Sequence, residues 1–171
     1  QKEARIIFAK NNFHGRTLSI ISASTDPTAT ENYGPYMPGF ILVDYNNLDA
    51  MKTALNEPNV AGVIIEPIQG EAGIVVPDPG YLKAVRDMCA DRNILFIADE
   101  VQTGLARTGK LLAICGNCTC ENKCENNYEI KPDVLILGKA LSGGIMPVSA
   151  VLANNDIMLV IEPGTHGSTY G

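Results

Sequence analysis

Short runs of β-branched and other apolar residues alternate along this chain with segments of helical period. Six of these runs predict strands, at residues 6–9, 41–43, 60–65, 94–98, 134–137 and 148–152. Several are apolar at consecutive positions, which is typical of strands covered by helices on both faces. The alternation therefore predicts an α/β fold with a three-layer, mostly parallel sheet.

Three segments have the apolar spacing of helices that pack on such a sheet: residues 48–55, 79–92 and 156–161. Asn47 and Asp78 stand just before the first two and are residue types that cap helix N-termini. Asn93 follows the second and can end it.

The charge balance restricts the range of partners. The chain has 171 residues with 13 basic and 19 acidic side chains, a formal net charge of −6. It lacks the basic patch that nucleic acid or an anionic membrane surface requires, so we expect neither as a partner. No apolar run approaches the roughly 18 residues of a membrane span. No signal-peptide pattern is present, and we expect the cytoplasm, with the mitochondrial matrix as the alternative.

Four of the five cysteines fall within one polar segment: Cys115, Cys118, Cys120 and Cys124. The segment, at about 115–127, has no periodicity and predicts a Cys-rich surface insertion. The four thiols could hold zinc, could form a redox-responsive pair with a thiol–disulfide partner, or could be chemically incidental. Their spacing matches no common two-pair zinc module. We therefore expect that these cysteines hold no metal ion, and zinc stays the weaker alternative.

Polar side chains follow three of the predicted strands. Residues 66–71 carry two glutamates, Asp99 and Gln102 follow the strand at 94–98, and Lys139 follows the strand at 134–137. Because carboxyl ends of parallel strands meet at one edge, these groups should converge there. A partly desolvated lysine is a nucleophile toward carbonyls, and a lysine with a nearby aspartate is the pair that a pyridoxal phosphate enzyme needs.

Other chemistries find less support in the sequence. The segment 167–171 has Thr where a nucleophile elbow needs Ser, and no strand precedes it. Lys139 is followed by Ala140 rather than by Ser or Thr, so the phosphate-binding loop pattern fails. There is no G-x-G-x-x-G segment for a dinucleotide. A hydrolase, a nucleotide-binding protein and a nicotinamide enzyme are therefore disfavoured.

Five ordered segments carry a family resemblance: residues 13–17, 66–73, 99–104 with 106–109, 137–144 and 166–171. Together they resemble subgroup III of the pyridoxal phosphate-dependent aminotransferases. Within it they look most like the ornithine aminotransferase branch, with the acetylornithine and other ω-amino acid branches as the alternative. The resemblance covers nearly the whole chain apart from the Cys-rich segment.

The resemblance implies how pyridoxal 5'-phosphate would be held. Lys139 would be the Schiff-base lysine and would move the proton during transfer. Asp99 would pair with the pyridine nitrogen, and Gln102 would hydrogen-bond the phenolic oxygen. Phe13 would stack on the ring, and His14 stands where relatives usually carry a second aromatic residue.

The resemblance also implies how substrates and a second subunit would be engaged. Arg16 would bind the substrate carboxylate, Glu71 would govern which end of a diamine enters, and Glu66 would support the site. Ser168 and Thr169 would reach the cofactor phosphate of the neighbouring subunit, which implies a homodimer with shared active sites.

The resemblance implies that residues 1–171 are the central part of the large cofactor-binding domain of a fold-type I enzyme. The family's N-terminal segment and its small C-terminal domain would lie outside this chain. The expected reaction passes the δ-amino group of ornithine to 2-oxoglutarate. A non-catalytic or redox-regulated binding protein that uses the cysteine segment is the hypothesis from a different class.

Overall fold

A computed structural model describes residues 3–117, 130–165 and 167. The strands are β1 (Arg5–Ala9), β2 (Phe40–Val43), β3 (Val60–Ile65), β4 (Leu95–Asp99), β5 (Val134–Leu137) and β6 (Ala150–Ala153). They form one six-stranded sheet in the order β2-β1-β3-β4-β5-β6. All pairs are parallel except β5 with β6, which are antiparallel. The predicted mostly parallel α/β sheet is confirmed.

The helices are α1 (Leu18–Ile21), α2 (Pro27–Thr30), α3 (Leu48–Leu55), α4 (Tyr81–Ala90) and α5 (Asn155–Met158). Two short 3₁₀ helices span Ala113–Asn117 and Lys139–Ser142. Asn47 caps α3 as predicted, because its Oδ1 accepts a hydrogen bond from the backbone N–H of Ala50 at 3.0 Å.

The start of α4 differs from the prediction. Gly80, at φ 84°, is the N-cap, and the helix begins at Tyr81 rather than at residue 79. The Tyr81 N–H donates to the carbonyl of Asp78 at 3.1 Å, so residues 78–81 form a turn that precedes the helix. Helix α4 ends at Ala90, two residues before the predicted end, and Asn93 follows in the left-handed conformation at φ 53°.

The main core lies between one face of the sheet and helices α3 and α4. It contains the strand residues Ile7, Val63 and Phe96 and the helix residues Met51 and Leu82, each fully buried. Successive strand residues point to opposite faces, so the alternate positions Phe8 and Ile64 join Ala23 in a smaller cluster on the other face. Within the described residues, α1 and the turn after it supply the cover on that side.

Two peripheral expectations need correction or remain open. None of the residues of α5 is buried, so the expectation that all three predicted helices pack on the sheet is wrong for this one. Ala113 and Ile114, just before the predicted insertion, are buried, and Cys115 packs against the main core. Residues 118–129 lie outside the described ranges, so the surface insertion stays a prediction. Within those ranges no helix is long and apolar enough to cross a membrane.

Candidate active site

The segments that follow β1, β3, β4 and β5 meet at one edge of the sheet because these strands are parallel. A cavity of about 240 Å³ opens there. Its lining consists of one amine, two carboxylates, one carboxamide, one imidazole and mostly apolar neighbours: Phe13, His14, Gly15, Glu66, Ile68, Asp99, Val101, Gln102, Thr103 and Lys139. Six of the residues that the sequence singles out are therefore brought together.

Asp99 is the last residue of β4, and both of its carboxylate oxygens have a fixed partner. The Oδ2 atom lies 2.7 Å from Nδ1 of His14, and Oδ1 accepts the backbone N–H of Val101 at 3.0 Å. The side chains of Asp99 and His14 are only 8% and 1% exposed. These two contacts fix the plane of the Asp99 carboxylate, which lines the cavity.

A buried asparagine, Asn12, anchors the segment that carries Phe13 and His14. Asn12 Nδ2 donates to the carbonyls of Ala9 and Ala23, at 2.7 and 2.9 Å, which ties the chain after β1 to the turn after α1. The backbone N–H of Phe13 then donates to Oε1 of Glu66 at 2.8 Å. These bonds place the two rings at the cavity before any ligand is considered.

Glu66 is a buried carboxyl beside a second carboxylate. Burial raises the pKa of Glu66 above its ordinary value, and the charge of Asp99 acts in the same direction. The Phe13 N–H and His14 oppose this rise in pKa. The hydroxyl of Tyr45 donates to the Glu66 carbonyl at 2.9 Å, so the backbone of this residue is fixed as well.

The side chain of Gln102 packs directly against the backbone of Gly70 where it reaches the cavity. A Cβ built on Gly70 would come within 2.7 Å of Cδ of Gln102, closer than such atoms approach in proteins. Gly70 therefore leaves the space that the carboxamide occupies. The Nε2 atom of Gln102 lies 3.5 Å from Oε1 of Glu71, at the exposed rim of the site.

Lys139 stands two residues beyond β5, in the first position of its 3₁₀ helix. Its backbone has φ 43°, a left-handed conformation that L-residues seldom adopt, and such conformations are found preferentially at functional sites. The side chain is exposed, so the expected partial desolvation is wrong for the described chain. The amine lines the same cavity as Asp99 and Gln102.

Several predicted residues lie at the rim or cannot be placed. Arg16 is exposed, with its guanidinium carbon 5.6 Å from the centre of the Phe13 ring, and it does not line the cavity. Glu71 is also exposed and meets the site only through Gln102. Ser168 and Thr169, predicted to reach a cofactor phosphate, lie outside the described residues.

Sequence reasoning missed Ile68, Val101 and Thr103 in the lining, and also the role of Glu100. Glu100 is 1% exposed, and its carboxylate accepts hydrogen bonds from the Thr103 hydroxyl and from the backbone N–H groups of Ala113 and Ile114. Adjacent residues of an extended chain point in opposite directions, so Asp99 facing the cavity places Glu100 on the far side. That alternation is the signal by which the sequence could have separated the two roles.

A second cavity of about 240 Å³ lies at the opposite edge of the sheet, between the start of β5 and the end of β6. Its acidic residue, Asp133, is already engaged by the backbone N–H of Phe96 at 2.8 Å and by Arg86 at 3.3 Å. The remaining lining is mostly apolar. Of these two cavities, the first therefore gathers more of the polar side chains that can take part in a reaction.

The metal alternative stays a prediction. Cys118, Cys120 and Cys124 lie outside the described residues, and Cys115 is half-buried. Within the described ranges, no three His, Cys, Asp or Glu side chains are grouped so as to hold a metal ion.

Comparisons with known proteins point to the same family as the sequence motifs. The family model described as aminotransferase class-III matches residues 1–171. The chain is 60% identical to the mitochondrial ornithine aminotransferase of Drosophila ananassae, covering all of this chain and 37% of that protein. It is 56% identical to the ornithine aminotransferase of Oceanobacillus iheyensis, covering all of this chain and 40% of that protein.

Among solved structures, the ornithine aminotransferase of Toxoplasma gondii crystallised with oxidised glutathione matches with a TM-score of 0.89. It is 47% identical, and the match covers all of this chain and 38% of that one. Pyridoxal phosphate partially occupies its active site. This chain thus spans less than half the length of each of these relatives.

Proposed function

The chain belongs to the class-III aminotransferases, and from that premise we propose that it is the central part of the cofactor domain of an ornithine aminotransferase. The reaction transfers the δ-amino group of L-ornithine to 2-oxoglutarate and yields glutamate 5-semialdehyde and glutamate. The observation that carries the proposal is the convergence of Lys139, Asp99 and Gln102 on one cavity. The names of the relatives favour ornithine over acetylornithine or another ω-amino acid.

The described residues fit pyridoxal 5'-phosphate. An amine, a fixed carboxylate and a carboxamide line one opening, and the Phe13 ring stands beside them. When bound, the cofactor supplies an aldehyde that the lysine can attach and a ring that accepts electrons. Asp99, whose two oxygens each contact a neighbouring group, is suited to face a protonated ring nitrogen. Gln102 would donate to the phenolic oxygen.

Lys139 performs the proton transfer in this proposal. Its amine is exposed at the cavity, where a substrate amine can also reach. The amine would act as the base that accepts a proton from the substrate carbon and would hold that proton until it is returned.

Substrate selection belongs to the rim. Arg16 would bind a substrate carboxylate through its planar guanidinium. Glu71, linked to Gln102, would govern which end of a diamine enters, and the buried Glu66 would support the site beneath. Ser168 and Thr169 would reach the phosphate bound to a neighbouring subunit, so the active unit is proposed to be a homodimer.

The compartment and the thiols complete the proposal. The cytoplasm was the sequence expectation, and the mitochondrial name of the Drosophila relative supports the matrix alternative.

The cysteines that begin at Cys115 are proposed to exchange with a thiol–disulfide partner. Activity measured before and after treatment with oxidised glutathione, in wild type and in Cys115→Ser, tests this. Equal activity in all four samples would leave the segment without a redox role.

The central experiment is reduction with borohydride of the full-length polypeptide that contains these residues. Hydride fixes a pyridoxyl group onto the lysine that holds the cofactor, and peptide mass mapping then locates it. We expect the adduct on Lys139, with no adduct and no transamination in Lys139→Ala. Lys10 is a matched control, because it follows β1 of the same sheet but pairs with Asp44 at 2.8 Å. An adduct on another lysine, or activity that survives Lys139→Ala, would refute the assignment of Lys139. Absence of both the adduct and transamination in wild type would favour the non-catalytic alternative.

A further inference from the structure

The His14–Asp99 pair joins two strand ends that are far apart in sequence. The Nδ1 atom of His14 and Oδ2 of Asp99 are 2.7 Å apart and 85 residues apart along the chain. With the two side chains 1% and 8% exposed, water does not compete for this contact. A contact this short and dry between a nitrogen and a carboxylate is a charge-assisted hydrogen bond.

From this contact we propose that His14 is a positioning residue: its Nδ1–H holds the carboxylate of Asp99 in the orientation that receives the protonated ring nitrogen of the cofactor. The inference rests on the proposed function. It gives a specific role to His14, which stands where relatives usually carry a second aromatic residue.

The surroundings of the imidazole support Nδ1 as the donor. Its other nitrogen, Nε2, is buried and has no hydrogen-bond partner among the described residues. Either tautomer leaves Nε2 without a partner, at a cost of about 1–3 kcal/mol, but only a proton on Nδ1 makes the 2.7 Å contact with Asp99 a hydrogen bond. Placing the proton on Nδ1 gives it an acceptor in Asp99. Placing it on Nε2 instead would leave the proton without an acceptor and would bring the lone pair of Nδ1 against a lone pair of Oδ2.

The ring is also held in place independently of Asp99. Its edge meets the Phe8 ring at a centroid distance of 5.5 Å and an interplanar angle of 61°. The preceding Phe13 donates its N–H to Glu66 at 2.8 Å. The imidazole is therefore a preorganised donor and does not depend on Asp99 to find its position.

Val101 supplies the complementary constraint. Its N–H donates to Oδ1 of Asp99 at 3.0 Å. One donor alone would let the carboxylate rotate about its Cβ–Cγ bond, but a donor on each oxygen fixes the plane. The Val101 donor is a backbone N–H that only a proline would remove, at the cost of a changed backbone, so His14 is the partner through which the orientation is tested.

Two substitutions separate the hydrogen bond from the ring. In His14→Asn the side-chain amide can place a donor near the position of Nδ1, whereas His14→Phe keeps an aromatic ring against Phe8 and has no donor. Phe40→Leu is a packing control, because Phe40 contacts the same Phe8 ring at 5.4 Å without being bonded to Asp99. All are made in the full-length polypeptide.

The first readout is cofactor affinity, measured by titrating pyridoxal phosphate into the stripped protein. We expect His14→Phe to bind about tenfold more weakly, the scale of one hydrogen bond to a charged group. His14→Asn and Phe40→Leu should stay within about threefold of wild type. Equal affinity in His14→Phe and wild type, or an equal loss in His14→Phe and Phe40→Leu, would overturn the inference.

The second readout does not need the cofactor and does not depend on the Phe variant folding. In the cofactor-free protein labelled with ¹⁵N-histidine, the His14 signals are identified by their loss in His14→Asn. We expect a proton on Nδ1. A proton on Nε2 alone overturns the inference, even if the borohydride adduct forms on Lys139. Absence of that adduct in wild type would instead refute the proposed function, so the two failures can be told apart.

Discussion

Glu100 ties the candidate active site to the start of the Cys-rich segment, and its substitution tests that link. The buried carboxylate accepts the N–H of Ala113 at 3.1 Å on Oε2 and the N–H of Ile114 at 2.8 Å on Oε1. Oε2 also accepts the hydroxyl of Thr103 at 2.5 Å. Glu100→Gln keeps the shape but replaces one oxygen with an NH₂ group. Whichever way the carboxamide turns, one of the two backbone N–H groups then faces a donor.

The expected cost follows from that lost acceptor. A hydrogen bond to a charged group contributes about 1.5–3 kcal/mol, and about 1.4 kcal/mol is a factor of ten in an equilibrium. Local opening at Ala113 and Ile114 should therefore become about 10- to 100-fold more frequent. Helix α4 should be affected less, because its backbone bonds do not involve Glu100.

Hydrogen exchange followed by mass spectrometry on the full-length polypeptide measures this opening. Peptides that contain Ala113 and Ile114 should exchange faster in Glu100→Gln, while peptides from α4 should not. Thr103→Val is the matched control: it removes the hydroxyl donor and leaves both backbone bonds, so the same peptides should change by less than about threefold. Unchanged exchange at Ala113 and Ile114 in Glu100→Gln would refute the anchoring role.

The elements that the sequence predicts best are those whose cause is local. The bounds of β3 and β5 follow from consecutive apolar residues, and those of α3 follow from its Asn47 cap. The start of α4 escaped prediction because a left-handed glycine, Gly80, delays the helix after a turn. Both Asp78 and Gly80 are compatible with a helix start, and only the backbone path decides between them.

The residues of the site differ in the same way in how far the sequence could predict them. Parallel strands bring Asp99 and Lys139 to one edge whatever the side chains do, so strand pattern and motif were sufficient to predict their convergence. The partner of His14 depends on a side-chain rotamer and on a strand neighbour 85 residues away. The partners of Glu100 depend on how the loop to Ala113 folds back. Neither leaves a periodic signal in the sequence.

Three further substitutions test the residues that support the cavity. Gly70→Ala should displace the Gln102 carboxamide and weaken cofactor binding without unfolding the protein. Adding Gln102→Ala should then cost little more, and additive losses in a double-mutant cycle would contradict this coupling. Glu66→Gln should raise the free energy of unfolding at neutral pH. Burial raises the pKa of this carboxyl above 4.5, so the folded protein holds the proton more tightly than the unfolded chain and loses stability as pH rises through that raised pKa. The glutamine cannot ionise, so the advantage of the variant in thermal unfolding should shrink as pH falls toward 4.5. An advantage that is the same at every pH would show that the charge of Glu66 is not its source.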